Sequence, residues 1–185
     1  MIEVQNLCKT YGAFKALDGV SFSIQKGEVI GFLGPNGAGK TTTMKILTGF
    51  IPSTSGKAMV AGFDIARDSL EVRKRIGYLP EMAPLYLDMN VRDYLEYVAS
   101  LRRMDRFKAQ KHIDKMVEVC GLGDVIVKDI GELSKGYKQR VGLAQAMVHD
   151  PEILILDEPI TGLDPNQIIE IRDLIKDLGK EKTII

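Results

Sequence analysis

The chain has 185 residues, enough for one domain with a substantial hydrophobic core. Its 25 lysines and arginines balance 25 aspartates and glutamates, so no net positive field attracts nucleic acid. Two cysteines match no metal-binding or redox spacing, and no run approaches the roughly 18 apolar residues of a membrane-spanning helix. We therefore expect no nucleic-acid partner, and we expect any membrane-spanning part to lie on another polypeptide.

The first half of the chain is predicted to be short strands with helices between them. Apolar runs bounded by glycine and proline indicate the strands, and apolar residues at helical spacing indicate the helices. In chain order the pattern predicts strands at residues 2–6, 20–25, 29–33, 57–60 and 76–79, and helices at residues 42–48 and 69–75. The run at residues 29–33 is expected to be a buried strand.

The second half begins as charged, amphipathic helix. Apolar residues recur near the 3.6-residue period from residue 91 to about residue 120, and another helix is predicted at residues 135–148. The continuous apolar run at residues 153–156 is typical of a parallel strand buried on both faces. A helix at residues 168–178 and a strand from residue 183 follow. We predict one α/β domain over residues 1–185, in which a helical part (85–150) is inserted into a discontinuous core (1–84 and 151–185).

Residues 34–41 match the phosphate-binding pattern G-x-x-x-x-G-K-[ST], known as Walker A, without a mismatch. A glycine-rich turn lets backbone N–H groups converge on a phosphate, and the following helix N-terminus adds partial positive charge. Lys40 is expected to reach the terminal phosphates, and the Thr41 hydroxyl to hold Mg²⁺. The motif predicts that the chain binds a nucleoside triphosphate, and the predicted nucleotide-binding residues here are Gly34, Pro35, Asn36, Gly37, Ala38, Gly39, Lys40, Thr41 and Thr42.

The strand at residues 153–156 ends in two acidic residues. Asp157 is placed to deliver a carboxylate to Mg²⁺ at the C-terminal edge of the sheet, where ligands of α/β proteins bind. Glu158 is expected to accept a proton from the attacking water as the general base. The alternative is a strand that ends in a solvated acidic turn, and the Walker A motif nearby disfavours it.

Four further motifs, in order, resemble the ATP-binding domain of ABC (ATP-binding cassette) transporters. Tyr11 matches the aromatic residue that stacks on adenine, and residues 76–81 match the Q-loop. Residues 133–137 match the signature, and residues 161–165, with Asp164, match the D-loop. The resemblance covers essentially the whole chain. It implies a P-loop NTPase (RecA-like) core with a small antiparallel β subdomain and an inserted α-helical subdomain.

The resemblance also implies ATP and Mg²⁺ as cofactors and a paired assembly. In the family, the signature contacts ATP that is held by the Walker A loop of the opposite subunit, so Ser134 and Gly136 are candidate ATP ligands in a homodimer or a pair with another cassette. Ser134 is equally interpreted as an ordinary N-cap of the helix that follows. Separate transmembrane permease subunits would place the protein at the cytoplasmic face of the membrane as a peripheral subunit.

Three features depart from the family pattern. Glu81 replaces the Q-loop glutamine, so it remains a candidate Mg²⁺ ligand although an ionised carboxylate cannot donate a hydrogen bond to water. Lys135 and Tyr137 replace usual signature residues, as in ATPases of ABC-2-type exporters, including the gliding-motility-associated ones. The family's switch histidine would follow a strand such as the one at residues 183–185, and the chain ends there.

The only histidines stand elsewhere: His112 lies on the helical insertion, and His149 is interpreted as a C-terminal cap of the signature helix. We therefore expect a truncated form that hydrolyses ATP slowly.

Two functions remain open at this stage. The first is an ATP-hydrolysing motor subunit of an ABC transporter. The second is a soluble ABC-type ATPase that acts on ribosomes or DNA. The sequence favours the first, because no long charged linker or coiled coil is present.

Overall fold

An antiparallel sheet forms the N-terminal part of the computed structural model, which describes all 185 residues. Its strands lie in the order β2-β1-β3-β4. Their bounds are Ile2–Tyr11 (β1), Phe14–Ile24 (β2), Ser55–Val60 (β3) and Phe63–Asp64 (β4). In β1, Ile2 and Val4 are buried and Glu3 is exposed, so the alternation of the sequence gives the sheet one apolar face.

A parallel sheet forms the centre of the molecule, with the order β5-β6-β7. Its strands are Ile76–Leu79 (β5), Ile153–Leu156 (β6) and Thr183–Ile184 (β7). All four residues of β6 are buried, as predicted from its continuous apolar run. The predicted combination of a small antiparallel sheet, a parallel sheet and helices is confirmed.

Six α-helices accompany the two sheets. They are Lys40–Leu47 (α1), Ser69–Arg75 (α2), Val91–Leu101 (α3), Arg106–Val119 (α4), Lys135–Met147 (α5) and Pro165–Leu178 (α6). The stretch that was predicted as helical from residue 91 to about 120 is therefore two helices, with a break at residues 102–105. None of these helices has the length and apolar character needed to cross a membrane.

Strand β6 separates two hydrophobic cores. Leu154 and Leu156 belong to a core formed mainly with the helices α3 to α6. Ile153 and Ile155, on the opposite face, belong to a second core with the antiparallel sheet and α1. The end of β6 thus lies between the two cores, which fixes its position on both sides. The division into residues 1–84 with 151–185 and residues 85–150 stays a prediction.

The prediction of a buried strand at residues 29–33 is wrong. Only Val29 pairs, as an isolated parallel bridge with Ile184, and Ile30 donates its N–H to the Ile184 carbonyl at 2.8 Å. Val29 is 55% exposed and Leu33 is 96% exposed. The segment bonds to β7 on one side and has no backbone partner on the other side within the described chain. Ile30 and Phe32 pack against the second core, whereas Val29 and Leu33 are exposed.

Candidate functional site

The Walker A loop is shaped by glycines in the left-handed region. Gly37 has φ +84° and Gly39 has φ +88°, and this region is costly for residues with a Cβ. A Cβ on Gly39 would also lie 2.5 Å from Leu17 Cδ2 and 2.8 Å from the Ala16 carbonyl oxygen. Strand β2 therefore packs directly behind the loop, and only glycine fits at this position.

Helix α1 begins at Lys40, directly after the loop. The Lys40 ammonium donates to the carbonyls of Gly34 at 2.8 Å and Pro35 at 3.1 Å. The loop and the first turn of α1 line a cavity of about 340 Å³, to which Asn36, Gly37, Gly39, Lys40, Thr41 and Thr42 contribute. Of the predicted loop residues, Gly34, Pro35 and Ala38 do not line it.

Asp157 lies at the C-terminal end of β6 and is 2% exposed. Its backbone N–H donates to the Leu79 carbonyl at 2.8 Å, which continues the pairing of β6 with β5. The Thr41 hydroxyl donates to Asp157 Oδ1 at 3.1 Å, so two motifs that are 116 residues apart in sequence meet here. Mg²⁺ is commonly held by one or two protein oxygens together with substrate phosphates and water, and these two oxygens fit that description.

The cavity also contains two carboxylates, those of Glu81 and Glu158. Glu158 is in the left-handed region at φ +52°, an uncommon conformation for a residue with a Cβ. Its Oε2 accepts a hydrogen bond from the Thr161 hydroxyl at 2.9 Å, which orients the side chain. Backbone strain concentrated at a carboxylate in a cavity is typical of functional sites.

Tyr78 is a neighbour of this site that sequence reasoning missed. Its hydroxyl is buried and has no hydrogen-bond partner within the protein. Burial, and then the negative charge of Asp157, raise its pKa to about 12. The tyrosine therefore stays protonated beside the carboxylate, and its position on β5 three residues before Glu81 was the only signal in the sequence.

Tyr11 does not line the cavity, whereas Phe14 does. The two residues face each other across the hairpin that joins β1 and β2. The Lys9 ammonium lies 5.0 Å from the centre of the Tyr11 ring, a cation–π distance. Phe14, exposed at the mouth of the cavity, is therefore a second aromatic candidate for contact with a base, and no sequence motif marks it.

The signature and D-loop residues lie outside this cavity and contact each other. The Ser134 hydroxyl accepts the N–H of Tyr137 at 3.3 Å, so it is the N-cap of α5. A Cβ on Gly136 would come within 2.6 Å of the Gln167 side chain, which follows the D-loop. Asp164 accepts the N–H groups of Asn166 and Gln167, each at 3.1 Å, and caps α6. The two helix N-termini are thus packed side by side.

His149 does not cap the signature helix as a cation, so that interpretation is wrong. Its Nε2 bonds to the carbonyl of Ile76, the first residue of β5, at 3.1 Å. Burial, and then the charge of Arg102, lower its pKa to about 4. The imidazole is neutral at pH 7 and joins the segment directly after α5 to the sheet.

Comparison with known proteins gives one consistent result. A sequence profile for the family described as "ABC transporter" matches residues 17–161. The bacitracin transport ATP-binding protein BcrA of Bacillus licheniformis is 40% identical over 184 residues, which are 100% of this chain and 59% of BcrA. The chain spans about 60% of the length of the first curated relatives that it matches.

Solved structures agree with this result. CbiO1 of Clostridium perfringens, described as part of the ABC transporter complex cbiONQ, has a TM-score of 0.88 and 30% identity, covering 100% of this chain and 76% of CbiO1. The ATP-binding cassette MJ0796, described as dimeric, in a post-hydrolysis state and bound to ADP and Pi, has a TM-score of 0.88 and 25% identity, covering 100% of this chain and 86% of MJ0796.

Proposed function

Because the chain belongs to the ABC transporter family, we propose that it is the ATP-binding and ATP-hydrolysing motor subunit of an ABC transporter. The observation that carries the proposal is the hydrogen bond from Thr41 to Asp157, which brings a phosphate-binding loop and a buried carboxylate together. The relatives are named as transport proteins, and no comparison favours action on ribosomes or DNA. Transport is therefore the function we propose, with the cargo chosen by a separate membrane subunit.

In this proposal the Walker loop holds the phosphates of ATP. Its N–H groups and the Lys40 ammonium meet negative oxygens, while Tyr11 or Phe14 contacts the adenine ring. Thr41 and Asp157 are the proposed Mg²⁺ ligands, and Glu81 is a third candidate from the same cavity. The metal, when bound, would neutralise negative charge on the terminal phosphates.

Glu158 is the proposed general base. Its carboxylate lines the same cavity as Lys40 and Thr41, and Thr161 orients it by a hydrogen bond. A carboxylate in this place would take a proton from a water molecule that attacks the terminal phosphate. Release of that proton after each turnover would return Glu158 to its starting state.

We also propose that two cassettes pair around ATP. The N-terminus of α5, with Ser134 and Gly136, is separate from the cavity of its own chain, so any contact with ATP would come from a partner cassette. A partly free helix N-terminus favours an anion, and Ser134, which accepts a hydrogen bond as the cap, keeps its O–H free to donate to a phosphate oxygen. Asp164 holds the adjoining D-loop in place by capping α6.

A membrane-embedded permease is the proposed second partner, which would make this chain a peripheral subunit at the cytoplasmic face. The segment after Glu81 exposes Met82, Tyr86 and Leu87. Large apolar side chains that cluster on the surface are typical of protein interfaces. A partner that contacts this segment would act directly on Glu81, and through it on the nucleotide cavity.

Two substitutions and one control test the proposed function. Lys40→Ala should weaken binding of an ATP analogue by about tenfold or more, because charge-assisted bonds to phosphate are lost. Glu158→Gln should keep binding while turnover drops by roughly 10² or more, because shape is kept and basicity is removed. Lys176→Ala removes an exposed lysine from α6 and should change neither measurement.

Equal nucleotide affinity in Lys40→Ala and the parent would contradict the site assignment. Unchanged turnover in Glu158→Gln would place the base elsewhere, with Glu81 the next residue to test. The slow hydrolysis expected without a switch histidine stays a prediction.

A further inference from the structure

A second and larger cavity lies away from the nucleotide site. It has a volume of about 810 Å³ and is formed where α3 ends and α4 begins, with contributions from α2 and from His149. Five cationic side chains line it, and the only carboxylate among the lining residues is that of Asp105. The cations are Lys74, Arg102, Arg103, Lys108 and Lys111. This concentration of charge is unexpected in a chain whose net charge is zero.

Most of this positive charge has no partner in the protein. Lys74 pairs with Glu71 at 2.6 Å, and Arg102 donates to the carbonyl of Arg73 at 2.9 Å. The side chains of the other three cations, Arg103, Lys108 and Lys111, make no ion pair or hydrogen bond. Asp105 supplies one negative charge against these three cations, so it does not neutralise them fully; its Oδ1 also accepts the N–H groups of Phe107 and Lys108 as the N-cap of α4.

The backbone conformation between α3 and α4, where Arg102 and Arg103 lie, is energetically unfavourable. Arg103 is in the left-handed region at φ +55°, which disfavours residues with a Cβ. Partial desolvation, and then the nearby charge of Arg73, lower the pKa of Arg102 below its ordinary value. Like charges and a strained backbone in one short connection are unfavourable, and a bound anion would reduce the repulsion between the charges.

From this geometry we propose that the cavity binds a phosphate-bearing anion. Several unpaired cations at one concave surface match a ligand with several negative oxygens, and arginine and lysine both bind phosphate. Met104 and the exposed Phe107 stand beside the cations, so an apolar group attached to the phosphate would also find a contact. The two sources of this chemistry are a free polyphosphate and the headgroup of an anionic lipid.

The two histidines of the chain allow ligand binding to be measured at this cavity. His112 and His149 both line this cavity, so their imidazole ¹⁵N resonances report on it and not on the Walker loop. The protein with ¹⁵N-labelled histidine is titrated with inorganic pyrophosphate and, separately, with phosphatidylcholine vesicles that contain or lack phosphatidylglycerol. We expect saturable shifts of these resonances with pyrophosphate or with the phosphatidylglycerol vesicles, and the active probe identifies the source.

A pair of double variants shows whether the cations are responsible. Lys108→Gln with Lys111→Gln should weaken the response by roughly tenfold or more, because two charge-assisted contacts are lost. Lys176→Gln with Lys180→Gln removes the same charge from exposed positions and should leave the response unchanged. No shift with either probe, or an equal response in the two double variants, would overturn the proposal.

Discussion

Gly39 combines a left-handed backbone with a close neighbour, and these two effects can be separated. Gly27 has a similar φ of +82°, but a Cβ there would meet nothing within 4 Å. We expect Gly27→Ala to lower the free energy of unfolding by about 1 kcal/mol from the backbone alone. Gly39→Ala should lower it by roughly 2–4 kcal/mol, because the Cβ also clashes with β2.

Urea unfolding of the two variants measures this difference. Equal losses in Gly27→Ala and Gly39→Ala would contradict the role of the contact between the loop and β2. Nucleotide binding should fail in the Gly39 variant alone.

The left-handed backbone at Glu158 favours glycine for stability, whereas the proposed activity requires the carboxylate. Glycine tolerates φ +52° whereas alanine does not, so Glu158→Gly should be more stable than Glu158→Ala by about 1 kcal/mol. At an unstrained position the order is reversed, with alanine the more stable by about 0.4–1 kcal/mol. Both variants should lose ATP turnover, so thermal melts and an ATPase assay together separate strain from chemistry. If Glu158→Ala were more stable than Glu158→Gly, the backbone at this position would not be strained.

At the scale of single residues, the sequence predicted the proximity of Thr41 and Asp157 but not the residues around them. Thr41 and Asp157 meet as expected, because Asp157 follows a strand whose C-terminal end adjoins the Walker loop. Tyr78 and Phe14 were missed, since Tyr78 lies beside Asp157 and Phe14 at the cavity only through the packing of distant segments. Such neighbours are set by pairing between distant segments, and neither residue type marks a site by itself.

At the scale of elements, His149 predicts a pH dependence of the contact between α5 and β5. Its pKa is about 4 in the folded protein and near 6.5 when unfolded, so the unfolded state binds the proton first. Stability from this group is fully present above about pH 6.5 and is lost as the pH falls toward 4. The gap corresponds to roughly 3 kcal/mol at most. The buried Nδ1 has no partner, so a proton there would gain no hydrogen bond.

Melting temperatures measured between about pH 4.5 and about pH 7.5 test this expectation. His149→Gln keeps a donor for the Ile76 carbonyl and does not titrate, so its melting temperature should fall less steeply in acid than that of the parent. His112→Gln is the matched control and should follow the parent. Parallel curves for His149→Gln and the parent would rule out the buried imidazole as the cause.

Elements with a strong period were predicted well, and breaks between them were not. The buried strand β6 and the amphipathic face of α3 were visible in the sequence because each has one unambiguous period. The division between α3 and α4 was missed, because the left-handed turn at Arg103 carries no glycine or proline to mark it. Residues 29–33 read as a buried strand because their composition is apolar, but burial depends on a neighbour that composition does not provide.

At the scale of the whole molecule, residues 29–33 have an open backbone edge on which the apolar side chains of Val29 and Leu33 are exposed. An unpaired edge with apolar side chains is a site for pairing with another chain. We expect the 185-residue chain to self-associate as its concentration rises, and Val29→Lys to reduce this association by placing charge on the edge. Analytical ultracentrifugation measures it, with Lys57→Ala on the antiparallel sheet as a control. Unchanged self-association in Val29→Lys would show that another surface mediates it.

The two bonds that Lys40 makes within its own loop have a consequence for selectivity. A ligand that draws the ammonium away from the Gly34 and Pro35 carbonyls must offer oxygens that attract a cation more strongly than neutral amides do. Phosphates meet this requirement, whereas the hydroxyls of an unphosphorylated nucleoside do not. Discrimination against adenosine is thus built into the resting contacts of the loop, before any group recognises the base.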